Sequence, residues 1–129
     1  MCRRSVTFAA IAFAVGLAFT VAAFGALPKK GAVYQGVIKS QPFEMKVVLS
    51  VAPTGKKLNF TYICGTGLAP TSVFGIPIDS AGHFKWTKMT GSAVVWKMAG
   101  HFVSAAKAFV SLNSIACGGS KGSTTLTLK

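Results

Sequence analysis

The chain has 129 residues, enough for a single domain, and its 14 lysines and arginines outnumber its two acidic residues, giving a formal net charge of +12. The two carboxylates are Glu44 and Asp79, and the two histidines are His83 and His101. This chain has too few such groups for an enzyme that uses paired carboxylates. It also has too few for a metal site, which needs three or four ligands. The composition therefore predicts a protein that is not an enzyme and that has neither a metal site nor a cofactor.

The N-terminal region carries the pattern of an export signal. Arg3 and Arg4 form a positive start, and residues 6–26 are uncharged and largely apolar. Ala23-Phe24-Gly25 satisfies the small-x-small cleavage rule, so residues 1–25 are predicted to be a signal peptide and residues 26–129 a single all-β domain. The alternative is an uncleaved membrane anchor, because this apolar run is long enough to span a bilayer. Either reading places the domain outside the cytoplasm, secreted or periplasmic if cleaved and membrane-anchored if not.

The rest of the chain has the alternating pattern of short strands. From Phe43 to Val51 apolar residues alternate with mostly polar ones, which is typical of a strand with one face on a core. Similar patterns predict strands over residues 33–39, 57–64, 72–78, 83–88, 92–98, 101–104, 107–112 and 124–129.

Glycine and proline refine this prediction. Gly100 is expected to mark a bend or bulge, residues 117–122 are expected to form a loop, and Pro77 indicates an edge strand. Residues 53–56 and 79–82 have turn chemistry. About eight strands joined by short turns predict an antiparallel β-sandwich or a small barrel.

The cysteines predict one disulfide, between Cys64 and Cys117. Cys2 lies in the positive start of the signal, far from the cleavage point, and so is not a lipoprotein cysteine. Two cysteines in an exported domain are most often paired. The alternatives are a metal pair or a reactive thiol, but the chain has no C-x-x-C motif and neither histidine is close to a cysteine in sequence.

Short motifs in the chain carry a family resemblance that agrees with the predicted fold and export. It is carried by Tyr34-x-Gly36, by the alternating strand that ends at Cys64, by Gly82-x-Phe84 and Gly100-x-Phe102, and by Cys117-Gly118. With these motifs the chain resembles small exported bacterial all-β domains of uncharacterised function. The resemblance covers most of the region after the signal, implies the fold and export, and brings no catalytic residues with it.

Lysine dominates the charge of the predicted domain. Without Arg3 and Arg4, twelve lysines stand against two carboxylates, for a net charge of +10. A surface without arginine argues against sequence-specific reading of nucleic acid but permits attraction to polyanions. The lysines predicted on outward faces are Lys39, Lys46, Lys57, Lys85 and Lys97. These residues predict a non-catalytic binding or surface-interaction module that associates with an anionic polymer or the cell envelope; the alternative is that the lysines only maintain solubility.

The aromatic and apolar residues allow other partners. A small-ligand carrier would need an apolar cavity between the sheets, and its candidate lining residues are Tyr62, Trp86, Trp96 and Phe102, although the tryptophans have the more ordinary alternative of filling a core. A homo-oligomer or a protein partner is a further alternative, because several apolar residues interrupt the polar faces of the strands. These residues are Val48, Ile63, Val95, Val103 and Phe109.

A hydrolase built on Asp79, Ser80 and His83 is the third class of function. The three residues are close in sequence, but nothing nearby supplies an oxyanion hole. The more ordinary role of Asp79 is to bond to the backbone of its own turn.

Overall fold

The computed structural model describes residues 25–129. The predicted signal peptide, with Cys2, lies outside the described residues except for its last residue, Gly25. The eight strands are β1 (Val33–Ile38), β2 (Met45–Val51), β3 (Lys57–Cys64), β4 (Thr71–Pro77), β5 (His83–Thr90), β6 (Ala93–Ser104), β7 (Lys107–Ser114) and β8 (Ser120–Leu128). Residues 25–129 include no helix long and apolar enough to span a bilayer.

All eight strands belong to one antiparallel sheet, in the order β4-β3-β2-β1-β8-β7-β6-β5. Strands that are adjacent in the chain pair with each other, except for β4 and β5, and β1 pairs with β8, so the sheet curls into a nearly closed barrel. The all-β prediction with about eight strands is therefore confirmed. Of the two architectures it allowed, the structure has the barrel-like one.

The two edges of the sheet are β4 and β5, which follow each other in the chain. We call the line where they approach each other the seam. Pro77 closes β4 and has no N–H to donate, and Gly75, at φ +74°, lies where the register with β3 shifts. The edge position predicted from Pro77 is thus confirmed.

Alternation along the strands builds the core inside this sheet. On β2, Met45, Val47, Leu49 and Val51 are buried and Lys46 is exposed, as the pattern predicted. The strand begins at Met45 rather than at Phe43, whose backbone N–H donates to Ser120 Oγ at 3.0 Å instead of joining the ladder.

The prediction of a bulge at Gly100 is wrong, because β6 runs from Ala93 to Ser104 and its register with β5 and β7 is regular at Gly100. Gly100 pairs with Phe84 on one side and Val110 on the other. A Cβ at Gly100 would collide with the carbonyl oxygen of Phe109 and lie 2.7 Å from Cζ of Phe84. Glycine is needed here because the Phe84 ring packs directly against the backbone.

The prediction of a loop over residues 117–122 is also wrong in its second half. Strand β8 begins at Ser120, and Lys121 pairs with Asn113 of β7. The composition of this segment, rich in glycine, serine and lysine, resembles that of a loop. Pairing with β7 nevertheless makes its second half part of a strand.

The predicted disulfide between Cys64 and Cys117 is present, with a Cα–Cα distance of 5.6 Å. It joins the end of β3 to the turn between β7 and β8. Beside it, the Tyr62 hydroxyl and Ser114 Oγ share a buried hydrogen bond of 2.9 Å. Ser114 Oγ also accepts the backbone N–H of Cys117 at 3.1 Å, so the polar groups of this end are paired.

Candidate functional site

The outer face of β5, β6, β7 and β8 carries two surface depressions of 710 and 570 Å³. They share Lys85, Ala99 and Ser111 and therefore form one continuous channel, which we call the basic groove. Its two ends differ in chemistry: one is cationic and the other is aromatic.

The register of the four strands explains the cationic end. Lys97 and Lys121 flank Asn113 in a single cross-strand row, so their Cα atoms are about 10 Å apart at the usual strand spacing. Lys85 lies one strand away from Lys97 and one row along, a diagonal of about 7–8 Å. All three lysines are exposed and lie near enough for their charges to act on the same ligand.

Small side chains give the groove its depth. The row next to that of Lys97 and Lys121 contains Ala99, Ser111 and Ser123, which leave space between the longer side chains. Ser111 Oγ donates weakly to the carbonyl oxygen of Ala99, at 3.4 Å, and keeps its capacity to accept.

The aromatic end is a ridge of three rings across β5, β6 and β7. His83, His101 and Phe109 occupy one cross-strand row. Ring centroids are 5.6 Å apart for His83 and His101, and again 5.6 Å for His101 and Phe109. This ridge presents aromatic rings beside the lysines, of which the Phe109 ring is apolar.

Asp79 lies at the rim of the aromatic end, in the turn between β4 and β5. Its Oδ1 accepts the backbone N–H groups of His83 at 2.8 Å and of Ala81 at 2.9 Å. The hydrogen bond from His83 is the main reason that the pKa of Asp79 is lowered. The carboxylate is thus occupied by its own turn, the ordinary role that the sequence suggested.

The side chains of Asp79 and His83 do not share a hydrogen bond. His83 Nδ1 is 3.8 Å from Asp79 Oδ2, longer than a hydrogen bond. Within residues 25–129, no group of three or more histidine, cysteine, aspartate and glutamate residues is placed to hold a metal ion.

The cationic end of the groove has no carboxylate to neutralise it. Of the two acidic side chains, Asp79 is at the opposite end and Glu44 pairs with Lys39 at 3.2 Å. The Lys39–Glu44 pair is exposed, so it contributes little to stability. The charge of Lys85, Lys97 and Lys121 is therefore available to a ligand.

The structure brings together only part of the predicted lysine set. Lys85 and Lys97 share the groove, whereas Lys46 lies on β2, Lys57 begins β3 and Lys39 pairs with Glu44. Lys121 completes the groove and was missed, because residues 117–122 were expected to form a loop. The alternation of Lys121, Ser123 and Thr125 with Gly122, Thr124 and Leu126 is the signal that would have placed Lys121 on an outward face.

Three of the four candidate cavity residues lie in the packed core. Tyr62, Trp96 and Phe102 are buried. Trp96 stacks on Phe60 at 5.7 Å, and Tyr62 meets Trp96 edge-on at 5.3 Å. Trp86, on the edge strand β5, is 37% exposed. The apolar residues predicted on outer faces (Val48, Ile63, Val95, Val103 and Phe109) are spread over β2, β3, β6 and β7.

Fold and groove together define a small, disulfide-linked all-β protein with a basic channel on its outer face. Comparison of the chain with protein family models, with curated proteins and with solved structures gives no match.

Proposed function

We propose that this protein is an exported, non-catalytic module that binds an anionic polymer, such as a component of the cell envelope, in the basic groove. The observation that carries the proposal is the convergence of Lys85, Lys97 and Lys121 on one depression that has no carboxylate at that end. Export is supported by the predicted signal peptide and by the Cys64–Cys117 disulfide, a bond that persists in oxidising compartments.

A polymer suits this groove better than a single small anion. One exposed ion pair contributes only about 0.2–1 kcal/mol, so useful affinity requires several lysines to act on one ligand. The three lysines are exposed, and their attraction is screened by salt. Binding should therefore weaken steeply as the salt concentration rises.

The test compares two triple variants that remove the same charge. K85Q/K97Q/K121Q neutralises the groove, and K46Q/K56Q/K57Q neutralises three exposed lysines on and beside β2 and β3. The full chain is expressed, the exported protein is purified, and elution from immobilised heparin is compared with elution from a plain sulfonate resin. Thermal unfolding verifies that each variant is folded.

We expect the unsubstituted protein to elute from heparin at higher salt than from the sulfonate resin. The groove variant should lose this difference, and the control variant should keep it. Equal elution of the two variants from heparin would show that net charge alone causes retention, and would overturn the proposal.

A further inference from the structure

The aromatic end of the groove has no role in simple charge attraction. Phe109 is half-buried on the outer face of β7, next to the ring of His101, while its neighbours on the same face of the strand are Lys107, Ser111 and Asn113. An aromatic ring beside a row of lysines suggests a ligand that has an apolar face as well as negative charge.

The spacing along β7 sets the length of that ligand. Phe109 is four residues from Asn113, which lies between Lys97 and Lys121. At the usual rise per residue the two rows are about 14 Å apart, and the row that contains Lys85 lies midway between them. A short, extended chain molecule could therefore contact the ring and the lysines at the same time.

Neutral hydrogen-bonding groups lie in the row of Lys97 and Lys121 and between the two ends of the groove. Ser111, Asn113 and Thr87 line the groove with a hydroxyl, an amide and a second hydroxyl. Such groups match the hydroxyls of a sugar, and the electron-rich face of Phe109 attracts the C–H groups of a sugar ring. Lysines suit sulfate or carboxylate groups that do not demand the fixed fork of arginine.

We propose that the basic groove binds an anionic oligosaccharide, with one sugar ring against Phe109 and its charged groups at Lys85, Lys97 and Lys121. This inference rests on the proposed function and names its ligand class. A single-stranded nucleic acid fits less well, because stacking of successive bases needs aromatic side chains along the path of the strand, and the three rings of the groove all lie in one row at one end.

The experiment measures the affinity of three probes at one salt concentration: a sulfated heparin hexasaccharide, inorganic polyphosphate and a short oligothymidylate. Phe109→Leu removes the aromatic face but keeps apolar bulk, and Phe109→Tyr keeps the face. Phe74→Leu is the matched control, because Phe74 is 76% exposed on β4 and does not line the groove. Thermal unfolding verifies that each variant is folded.

We expect Phe109→Leu to weaken hexasaccharide binding roughly fivefold, a typical contribution of one aromatic contact, and polyphosphate binding less than about twofold. Phe109→Tyr should retain hexasaccharide affinity, and Phe74→Leu should change neither. K85Q/K97Q/K121Q should weaken both probes.

The outcomes separate this inference from the proposed function. Suppose that the lysine triple variant weakens binding of both the hexasaccharide and polyphosphate, and Phe109→Leu weakens binding of neither. The groove then binds polyanions without recognising the sugar, and the inference fails while the proposed function stands. If the lysine triple has no more effect than K46Q/K56Q/K57Q, the proposed function fails as well. Oligothymidylate could instead bind more tightly than the hexasaccharide and lose this advantage in Phe109→Leu. That result would overturn the inference and identify nucleic acid as the ligand.

Discussion

At the scale of single residues, the carboxylate of Asp79, a catalytic candidate in the sequence, is engaged by the backbone of its own turn. Its carboxylate closes the turn between β4 and β5 by accepting two backbone N–H groups, those of Ala81 and His83. These hydrogen bonds favour the ionised form, so the pKa of Asp79 falls below its usual 3.8. The side chain thereby stabilises the turn from which β5, with His83 and Lys85, enters the groove.

This pKa shift predicts the effect of pH on stability. A carboxyl group with a lowered pKa in the folded state stabilises the protein above its unfolded pKa, and this contribution is lost as the pH falls through the folded value. At neutral pH, Asp79→Asn should therefore have a smaller free energy of unfolding than the unsubstituted protein, and the difference should shrink below pH 3.8. Urea unfolding at neutral and acidic pH measures it, and a difference that does not vary with pH would contradict the explanation.

At the scale of strands, local pattern predicted which residues face the core, but not how the strands align. The inward positions of β2 and the turn at Asp79 follow from alternation and turn chemistry, both properties of short segments. The meeting of Lys97 with Lys121 depends on the register of β6, β7 and β8, which is set by long-range pairing. Two of the three groove lysines were therefore predicted as outward-facing, while their assembly with the third was not.

A glycine in a strand can mark a bend, or it can leave room for an atom that packs closely against the backbone, and the sequence does not distinguish the two. Gly100 and Gly122 both lie within strands and both belong to the second kind. They differ in what a Cβ would meet: at Gly100 a backbone oxygen and the Phe84 ring, and at Gly122 the Cγ2 methyl of Ile38, at 2.7 Å. Ile38 is buried and β-branched, so its methyl can yield only by a small shift of the side chain, but the backbone oxygen met at Gly100 cannot move without disturbing the strand pairing.

This difference predicts unequal costs for the same substitution. Gly100→Ala should lower the free energy of unfolding by about 3 kcal/mol and Gly122→Ala by about 1 kcal/mol, the two ends of the usual range for overpacking. Denaturant unfolding of both variants measures the costs. Equal destabilisation would show that the backbone oxygen met at position 100 costs no more than the side-chain methyl met at position 122.

At the scale of the whole molecule, the sheet depends on a few long-range contacts to stay curled. The first and last strands pair through Tyr34 with Leu128 and Gln35 with Thr127, and the seam between β4 and β5 is not part of the ladder. Tyr34 adds two hydrogen bonds: its hydroxyl accepts the backbone N–H of Lys29 at 2.9 Å and donates to the carbonyl oxygen of Ala105. The disulfide joins β3 to the turn that leads into β8, across β1 and β2 in the strand order.

Because the disulfide links positions 53 residues apart, its loss should free a large loop in the unfolded chain. The chain-entropy relation gives a destabilisation of about 4 kcal/mol for the Cys64→Ala/Cys117→Ala double variant. Urea unfolding of this variant measures the effect, and the unsubstituted protein unfolded with a reductant is its control, since both lack the bond. Unfolding midpoints that match those of the oxidised protein would show that the disulfide adds no stability and would contradict the prediction. Matching losses in the variant and the reduced protein would assign the loss to the missing bond rather than to the alanine side chains.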